Sequence, residues 1–479
     1  MAYNPFIITH LAKKYCGAEC INIEKIPQSG SGRLYFRLFF EKMPSLIGVY
    51  NSDLKENEAF FHLSRFFRSR HIHVPELLDV DESNQYYLLN DLGDETLYSF
   101  LVSNRRGEKL GESVLRYYHQ VLKELPGIQL AGQEMDFSFC YPRSAFDRQS
   151  MQWDLNYFKY YFLKLAGIPF DEQLLEDDFN TCIDFLLQAE SNYFLYRDFQ
   201  SRNIMIHNDQ ICFIDYQGGR KGALQYDVAS LLYDGKADIS PSDRDELLDF
   251  YLNELEKYLP DSRDKFLFYY DTFVLIRILQ ALGTYGFRGY YEKKPHFLLS
   301  IPYAIRNIRY LLDKDCFPIL IPELGRVLKA LTESEDLPAF EDPDSHLTVF
   351  INSFSYKKGI PQDLSVNGGG FVFDCRALPN PGREEQYRSL NGKDAEVIEF
   401  MKRYPQTDEF RKHTFALVDA SVENYLERGF TRLMVNYGCT GGQHRSVFFA
   451  EEAARHLHGK FPGLKIILKH TQQQPEKNR

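Results

Sequence analysis

The chain lacks the features expected of a membrane, secreted or nucleic-acid-coating protein. Its eight cysteines form no CxxC pair, and no histidine pair at zinc spacing accompanies Cys16 and Cys20, so reduced thiols are the simplest interpretation. No stretch of about 18 uncharged apolar residues predicts a membrane span. The first residues lack the basic-then-apolar order of a signal peptide. A net charge of −11 argues against a protein that is basic throughout. We therefore expect a cytoplasmic protein with no membrane contact.

The composition changes along the chain and predicts two domains joined by an acidic linker. Residues 1–335 are expected to form an α+β domain, with strands in a first lobe (1–91) and mainly helices in a second lobe (92–335). Residues 336–344 are acidic and contain proline, which is typical of a linker. Strands and helices alternate in residues 345–479, which predicts a smaller α/β domain with some parallel pairing. This last part carries 19 Lys and Arg against 15 Asp and Glu, whereas the rest of the chain is strongly acidic.

Three residues have the order and spacing of a kinase catalytic centre. Asp198 is followed five residues later by Asn203, and Asp215 comes after a short apolar strand. Phosphoryl transfer needs a carboxylate to accept the hydroxyl proton, and an amide and a second carboxylate to hold Mg²⁺ against the phosphates. Tyr196 stands where a histidine is common, and Tyr216 stands where protein kinases have phenylalanine. The spacing still predicts a catalytic loop followed by a hairpin strand.

A glycine turn near the N-terminus predicts contact with phosphates, although a plain hairpin turn is the alternative. Its small residues lie between two predicted strands, where backbone N–H groups could cover a phosphate chain. The third predicted strand, residues 46–50, has no lysine to clamp the phosphates. Lys55 or Arg33 could take that role. The predicted nucleotide-contacting residues of this region are Ser29, Gly30, Ser31, Gly32, Arg33 and Lys55.

Residues 1–335 resemble the aminoglycoside phosphotransferase superfamily, which has a two-lobed protein-kinase-like fold. The likeness is greatest to the anomeric amino-sugar kinases of cell-wall recycling (the AmgK type), through the segments at 197–203, 214–218 and 226–232. It implies ATP and Mg²⁺ as cofactors and the anomeric hydroxyl of N-acetylmuramate or N-acetylglucosamine as acceptor. It also implies Asp198 as base and Asn203 and Asp215 as metal ligands. Residues implied to lie near adenine are Asn90 and Leu92, and those near the sugar are Arg202, Gln280, Tyr285 and Arg288. For the sugar residues, a helix end with surface polar groups is the alternative.

A second glycine loop lies between a predicted strand and a predicted helix in the C-terminal domain. Glycines let the backbone approach an anion, and a helix N-terminus offers unpaired N–H groups. We expect a phosphate or sugar-phosphate site there, and a purely structural turn is the alternative. Cys439 and Arg445 also have the spacing of a phosphocysteine phosphatase, a weaker interpretation. The predicted anion-binding residues are Lys357, Arg376, Cys439, Thr440, Gly441, Gly442, Gln443, His444, Arg445 and Ser446.

Residues 345–479 resemble the C-terminal domain of the RapZ family. The likeness rests on residues 353–361, 372–381 and, above all, 438–447. It implies binding of an amino-sugar phosphate and of small regulatory RNA, although a different domain precedes it in that family. Three functions stay open: an amino-sugar kinase with a sugar-phosphate-binding domain, a kinase for another small molecule such as an aminoglycoside or choline, and an RNA-binding or metabolite-sensing regulator.

Overall fold

The computed structural model describes residues 4–27, 32–107, 109–334, 337, 347–361, 363 and 369–472. The chain divides into two compact units, with residues 1–293 and 300–337 in the first and residues 294–299 and 338–479 in the second. Ser29, Gly30, Ser31 and almost all of the predicted linker 336–344 lie outside the described residues. The domain boundaries at 335 and 345 therefore stay predictions.

The first unit begins with an antiparallel sheet and two helices. Strand β3 lies in the middle of this sheet, and all five of its residues are buried. Helix α2 is capped by Asp53, whose side chain accepts a hydrogen bond from Glu56 N–H. The sheet order is β1-β2-β3-β5-β4, and every neighbouring pair is antiparallel. The elements are α1 (Pro5–Cys16), β1 (Asn22–Lys25), β2 (Leu34–Phe39), β3 (Leu46–Tyr50), α2 (Leu54–Ser69), β4 (Leu77–Val80) and β5 (Tyr86–Asn90).

The rest of the first unit is helical, with two small antiparallel strand pairs, β6 with β9 and β7 with β8. The elements are α3 (Leu97–Asn104), α4 (Glu112–Ala131), α5 (Arg148–Phe158), α6 (Glu172–Leu186), β6 (Tyr193–Leu195), β7 (Ile204–His207), β8 (Gln210–Phe213), β9 (Arg220–Gly222), α7 (Gln225–Leu232), α8 (Pro241–Glu256), α9 (Arg263–Gly286), α10 (Ile301–Lys314) and α11 (Pro322–Glu333). The two strand pairs flank the predicted catalytic loop.

Helix α9 is the long core helix of this lobe. It packs on α5, and its glycines allow the close approach: a Cβ on Gly283 would lie 2.8 Å from Phe158 N, and one on Gly286 would lie 2.0 Å from the Tyr161 carbonyl oxygen. Residues 263–291 are long and apolar enough to cross a membrane by length and composition, and 67% of the apolar window is buried inside the protein. This close packing explains why glycine is needed at both positions.

The second unit is an α/β domain with a four-stranded parallel sheet in the order β11-β12-β10-β13. Its elements are β10 (Thr348–Ser355), β11 (Gly370–Asp374), α12 (Ala395–Lys402), α13 (Pro405–Glu427), β12 (Arg432–Cys439), α14 (Arg445–Lys460) and β13 (Lys465–His470). Because the strands run parallel, β10, β11 and β12 all end at the same edge of the sheet. The predicted fold class, an α+β domain followed by a smaller α/β domain, is confirmed.

Candidate active site

The catalytic loop lies between β6 and β7, and brings the three predicted catalytic residues together. Asn203 Nδ2 donates to the backbone oxygen of Asp198 at 2.8 Å and lies 3.5 Å from Asp215 Oδ2. Asp215 follows β8 and has φ +68°, which turns the chain sharply at the end of the hairpin. Asp198 and Asp215 are both exposed to solvent. The loop and the hairpin therefore present two carboxylates and an amide to one solvent-accessible site.

A buried carboxylate anchors this loop from below. Asp227, in the first turn of α7, accepts hydrogen bonds from Tyr196 N–H at 2.8 Å and Arg197 N–H at 3.1 Å. Its side chain is fully buried, and this burial raises the pKa of Asp227 to about 7, although the backbone hydrogen bonds and Arg197 counteract it. Arg197 has φ +83°, a left-handed conformation that a non-glycine residue keeps only when its surroundings hold it. Asp227 thus fixes the backbone just before Asp198.

The side chain of Arg197 points into the helical lobe. Its guanidinium pairs with both carboxylate oxygens of Asp154, at 2.6 and 2.8 Å, and donates to the Tyr226 hydroxyl at 2.6 Å. This bidentate pair is the strong form of an ion pair. The loop is therefore fixed through the backbone of Arg197 by α7 and through its side chain by α5, whereas Asp198 stays at the surface.

Asp215 lies among protein groups that favour its protonated form. Although its side chain reaches solvent, the protein packed around it removes much of its hydration. This desolvation, followed by the negative charge of Asp198, raises its pKa, while Gln217 and Arg33 lower it. Gln217 Nε2 donates to Asp215 Oδ1 at 2.6 Å. One oxygen of Asp215 is thus held, and the other faces Asn203. A cation placed beside Asp198 and Asp215 would relieve their repulsion.

The donor set at this point fits a magnesium ion. Carboxylate and amide oxygens are hard ligands, and Mg²⁺ in phosphoryl-transfer sites takes one or two protein carboxylates together with substrate phosphates and water. Asp215 and Asn203 are the residues that would hold such an ion, and in the structure the amide nitrogen of Asn203 lies 3.5 Å from Asp215 Oδ2. Among the described residues, no group of three or more His, Cys, Asp and Glu forms a metal site. The arrangement therefore suits an ion that arrives with a nucleotide.

The missing lysine of the third strand has a structural counterpart. Arg33 is 2% exposed and lies just before β2, and its Nε lies 3.5 Å from Glu56 Oε2 in the first turn of α2. Burial lowers the pKa of Arg33, but nearby Tyr87, Tyr35 and Glu56 raise it more, so the guanidinium stays charged. This pair matches the strand-lysine and helix-glutamate pair of protein kinases. Lys55 and Arg33 are the two residues predicted to replace that lysine, and Arg33 is the one that lies near Asp215.

Lys55 is exposed, and no ion pair involves it in the part of the chain that the structure describes. Of the predicted glycine turn, the structure describes Gly32 and Arg33, and a Cβ on Gly32 would meet nothing within 4 Å. The backbone at Gly32 is therefore open enough for a ligand to approach.

The segment joining the two lobes is held by its own contacts. Asn90 Oδ1 accepts a hydrogen bond from Glu76 N–H at 2.6 Å, and the Leu92 carbonyl oxygen lies 3.1 Å from His207 Nδ1. Asp91 pairs with Arg37 at 2.7 Å. These contacts fix the segment in which the sequence predicts adenine contacts. The contacts with adenine themselves stay a prediction.

The four predicted acceptor residues divide into two groups. Arg202 is exposed on the short 3₁₀ turn between Asp198 and Asn203, and Tyr285 is half-buried near it. Gln280 accepts from Arg277 Nη1 at 2.8 Å, and Arg288 pairs with Glu292 at 2.8 Å within the turn that follows α9. The charge of Arg288 is therefore already balanced by a carboxylate, which makes it a weaker candidate for an anionic acceptor.

In the second unit, the predicted glycine loop connects β12 to α14. Ser355 Oγ at the end of β10 donates to the Thr440 carbonyl oxygen at 2.7 Å, and Gln443 Nε2 donates to the Leu390 carbonyl oxygen at 2.7 Å. His444 Nε2 lies 2.8 Å from the Tyr387 carbonyl oxygen. Gly442 has φ +71°, and a Cβ there would lie 3.0 Å from Ser355 N. The loop is therefore a braced structure that requires glycine at 442.

Cys439 lies at the base of this loop. Gly442 N–H donates to its sulfur at 3.2 Å, and the Ser446 hydroxyl lies 3.2 Å away. Burial raises the pKa of the Cys439 thiol, but the hydrogen bonds from Ser446 and Gly442 and the charge of Arg445 outweigh it, so the pKa is lowered. Cys439 is 3% exposed. Its surroundings favour the thiolate, while its burial limits access to it.

A polar cavity of about 490 Å³ lies beside the loop. Arg445 Nη1 donates to the carbonyl oxygens of Arg376 and Leu378, each at 2.9 Å, and so joins the loop to the turn after β11. Lys357 is exposed and does not line this cavity. Arg383, in the Asn-Pro-Gly-Arg turn at 380–383 that follows the strand end, also lines the cavity and is not among the predicted anion-binding residues. The cavity is lined by Arg376, Ala377, Leu378, Pro379, Asn380, Arg383, Gln406, Thr440 and Arg445.

Comparison with known families assigns both units. Residues 31–262 match the phosphotransferase enzyme family, and residues 347–474 match the RapZ C-terminal domain. The first unit therefore contains a domain of the phosphotransferase enzyme family, and the second contains a RapZ C-terminal domain. The predicted resemblances to both are confirmed, whereas the finer likeness to amino-sugar kinases stays a prediction.

Curated relatives are nucleotide-binding proteins by name. One from Delftia acidovorans is 39% identical over 122 residues, 26% of this chain and 39% of that protein. One from Pseudothermotoga lettingae is 32% identical over 164 residues, 34% of this chain and 56% of that protein. The chain thus spans about half or less of the length of these relatives.

Two solved structures are similar to the chain at low identity. Choline kinase LicA from Streptococcus pneumoniae is 13% identical with a TM-score of 0.43, covering 64% of this chain and 98% of that one. The aminoglycoside phosphotransferase APH(2'')-IIa in complex with gentamicin is 14% identical with a TM-score of 0.42, covering 68% of this chain and 99% of that one.

Proposed function

We propose that the protein is a cytoplasmic, ATP- and Mg²⁺-dependent kinase that phosphorylates the anomeric hydroxyl of an amino sugar, N-acetylmuramate or N-acetylglucosamine, in cell-wall recycling. The observation that carries the proposal is the convergence of Asp198, Asn203 and Asp215 at one exposed site, with Asn203 bridging the other two. The phosphotransferase family match supports the reaction class. The choice of amino sugar rests on the motif resemblance.

The residues of the site suit each requirement of the transfer. Asp198 accepts the proton of the acceptor hydroxyl as its oxygen bonds to the γ-phosphorus, while the bond to the β,γ-bridging oxygen breaks and ADP leaves. Asn203 and Asp215 would hold Mg²⁺, which neutralises phosphate charge when bound. Arg33, which lies 3.5 Å from Glu56, would pair with nucleotide phosphates. Asp227 and the Arg197–Asp154 pair keep Asp198 in position without touching substrate.

For the second unit we propose a sugar-phosphate site at the arginine-lined cavity. Arg376, Arg383 and Arg445 line it, and Arg is the residue best suited to bidentate phosphate recognition. Arg376 is already paired with Asp374 at 2.6 Å, so Arg383 and Arg445 are the stronger candidates. Binding of the kinase product, or of a related sugar phosphate, would couple the two activities in one chain.

The first experiment is phosphorus NMR of the full chain with ATP, Mg²⁺ and each amino sugar. We expect an anomeric phosphate signal that falls about 10²- to 10⁴-fold in rate in Asp198→Asn, the range for loss of a general base. Asp261→Asn is the matched control, because Asp261 is an exposed loop carboxylate with φ +59°, a conformation that asparagine also tolerates. Absence of a sugar 1-phosphate with every amino sugar would overturn the proposal.

A further inference from the structure

A group of positively charged side chains lies beside the catalytic loop on the side of the helical lobe. One carboxylate joins two segments there: Asp234 Oδ2 accepts from the Ser201 hydroxyl at 3.0 Å, and Asp234 Oδ1 accepts from Lys236 N–H at 3.3 Å. Arg202 follows Ser201 directly and is exposed between Asp198 and Asn203. Arg202 and Lys236 therefore lie on the two segments that this carboxylate joins, next to the proposed base.

Helix α9 adds a third cation. Arg277 is 6% exposed, and its Nε donates to the Ser230 hydroxyl at 2.9 Å, while its Nη1 donates to Gln280 Oε1 at 2.8 Å. Both partners are neutral. A buried guanidinium is expensive unless a negative charge balances it.

Tyr285 connects the three cations. The charges of Arg277 and Arg202 both act on its hydroxyl, and a Cβ on Gly235 would lie 3.3 Å from that oxygen. Gly235 immediately precedes Lys236, so Tyr285 packs against the turn that carries this lysine. Arg277 and Arg202 thus lie near one tyrosine, and Lys236 lies near Arg202 in the turn against which that tyrosine packs. We call these three the acceptor cations.

The acceptor cations differ from other cations of the lobe in lacking a carboxylate partner. Arg197 pairs with Asp154 and Arg288 with Glu292, but none of the acceptor cations lies within 4 Å of an Asp or Glu oxygen among the described residues. Burial, then the charge of Arg202, lowers the pKa of Lys236, as expected for like charges held together. Asp234 supplies one negative charge beside these three positive ones, and Asp198, four residues before Arg202, supplies a second.

We propose that the acceptor cations bind an anionic group, a carboxylate or a phosphate, on the same molecule that presents its hydroxyl to Asp198. This inference rests on the proposed kinase function and narrows its substrate class: the acceptor is an acid, and neutral or cationic acceptors are poorer substrates. The anion supplies the counter-charge that the fold leaves out. It also orients the acceptor, because its hydroxyl and its charged group are held at two separate points.

The test compares N-acetylmuramate with its methyl ester, in which the negative charge is removed and one methyl group is added. We expect kcat/KM to favour the acid about 10- to 100-fold, the range for hydrogen bonds to a charged group. Arg202→Gln and Lys236→Gln should each raise KM for the acid and leave the ester and the KM for ATP unchanged, while Arg202→Lys restores most of the preference. Lys329→Gln, which removes an exposed charge on α11, is the control.

The inference would be overturned by the following kinetic results. Equal use of acid and ester by the unaltered protein would remove the role of the charge. A rise in the KM for ATP, or an equal loss with both acceptors, would assign the cations to the nucleotide phosphates instead.

A sugar-independent probe separates this inference from the proposed function. Inorganic sulfate should bind the full chain carrying Arg376→Gln and Arg383→Gln, in which the second-unit cavity is weakened. Binding should be lost when Arg202→Gln and Lys236→Gln are added. If no amino sugar is phosphorylated but this sulfate difference holds, the kinase assignment fails and the anion site stands. If the difference is absent, the anion site fails whatever the kinase result.

Discussion

Replacing Asp227 by alanine tests how the catalytic loop is held. The change leaves two buried N–H donors, of Tyr196 and Arg197, without their acceptor. Each unsatisfied buried donor costs about 1–3 kcal/mol, so the hydrogen bonds contribute roughly 2–6 kcal/mol to the free energy of unfolding. Loss of the anchor also frees the left-handed Arg197, and a shift of about 1 Å at the adjacent Asp198 lowers turnover by roughly 10²-fold. We expect lower stability together with a large loss of activity.

The pH dependence of stability gives a second test of this prediction. The folded pKa of Asp227 is about 7 against an ordinary value of 3.8, so the folded state binds the proton more tightly than the unfolded chain. Stability from this group is therefore highest below about pH 4 and falls as the pH rises to about 7, by up to about 4 kcal/mol for a difference of 3.2. Alanine removes this dependence. The deficit of Asp227→Ala should be largest at acid pH and should shrink towards pH 8.

The assay is urea denaturation followed by the fluorescence of Trp153, the single tryptophan, which lies in the first unit. Hydrogen exchange of peptides spanning residues 193–203 would report the loop directly. Asp178→Ala is the matched control: Asp178 is buried, its pKa is also raised by burial, and it accepts from Leu324 N–H at 2.7 Å, away from the site. If Asp227→Ala kept the turnover of Asp178→Ala, or if its deficit stayed constant from pH 5 to pH 8, the reasoning would be refuted.

Two further predictions concern the nucleotide site and the second unit. Glu56→Gln removes the carboxylate 3.5 Å from Arg33 and should weaken ATP binding about tenfold, near 1.4 kcal/mol, without changing the KM of the acceptor; unchanged calorimetric ATP affinity would contradict the clamp. Gly442→Ala should cost about 1–2 kcal/mol through its positive φ and should abolish sugar-phosphate binding, whereas Gly441→Ala, which meets nothing within 4 Å, should do neither. Titration of a hexosamine phosphate into each full-length variant measures the binding, and urea denaturation measures the stability. Equal effects of the two glycine substitutions would argue against the braced loop.

The sequence by itself determined the elements and the order of the catalytic residues. Strand β3 has the predicted bounds because a short apolar run between turn residues defines it locally. The spacing of Asp198 and Asn203 fits one short loop, and the β7–β8 hairpin needs no distant contact to bring Asp215 back to it. In the second unit, the β12–loop–α14 order follows from the period of the apolar residues and the glycines between them.

Only the tertiary structure decided which charges are paired. Arg33, just before β2, meets Glu56 of α2, and Arg197 of the catalytic loop meets Asp154 of α5. Spacing in the sequence does not report such pairings, since they depend on how separate elements pack. The same packing brings Arg202, Lys236 and Arg277 together without carboxylate partners. Motif spacing is a local property of the chain, whereas the balance of charge in a pocket is set by segments that meet only in the folded protein.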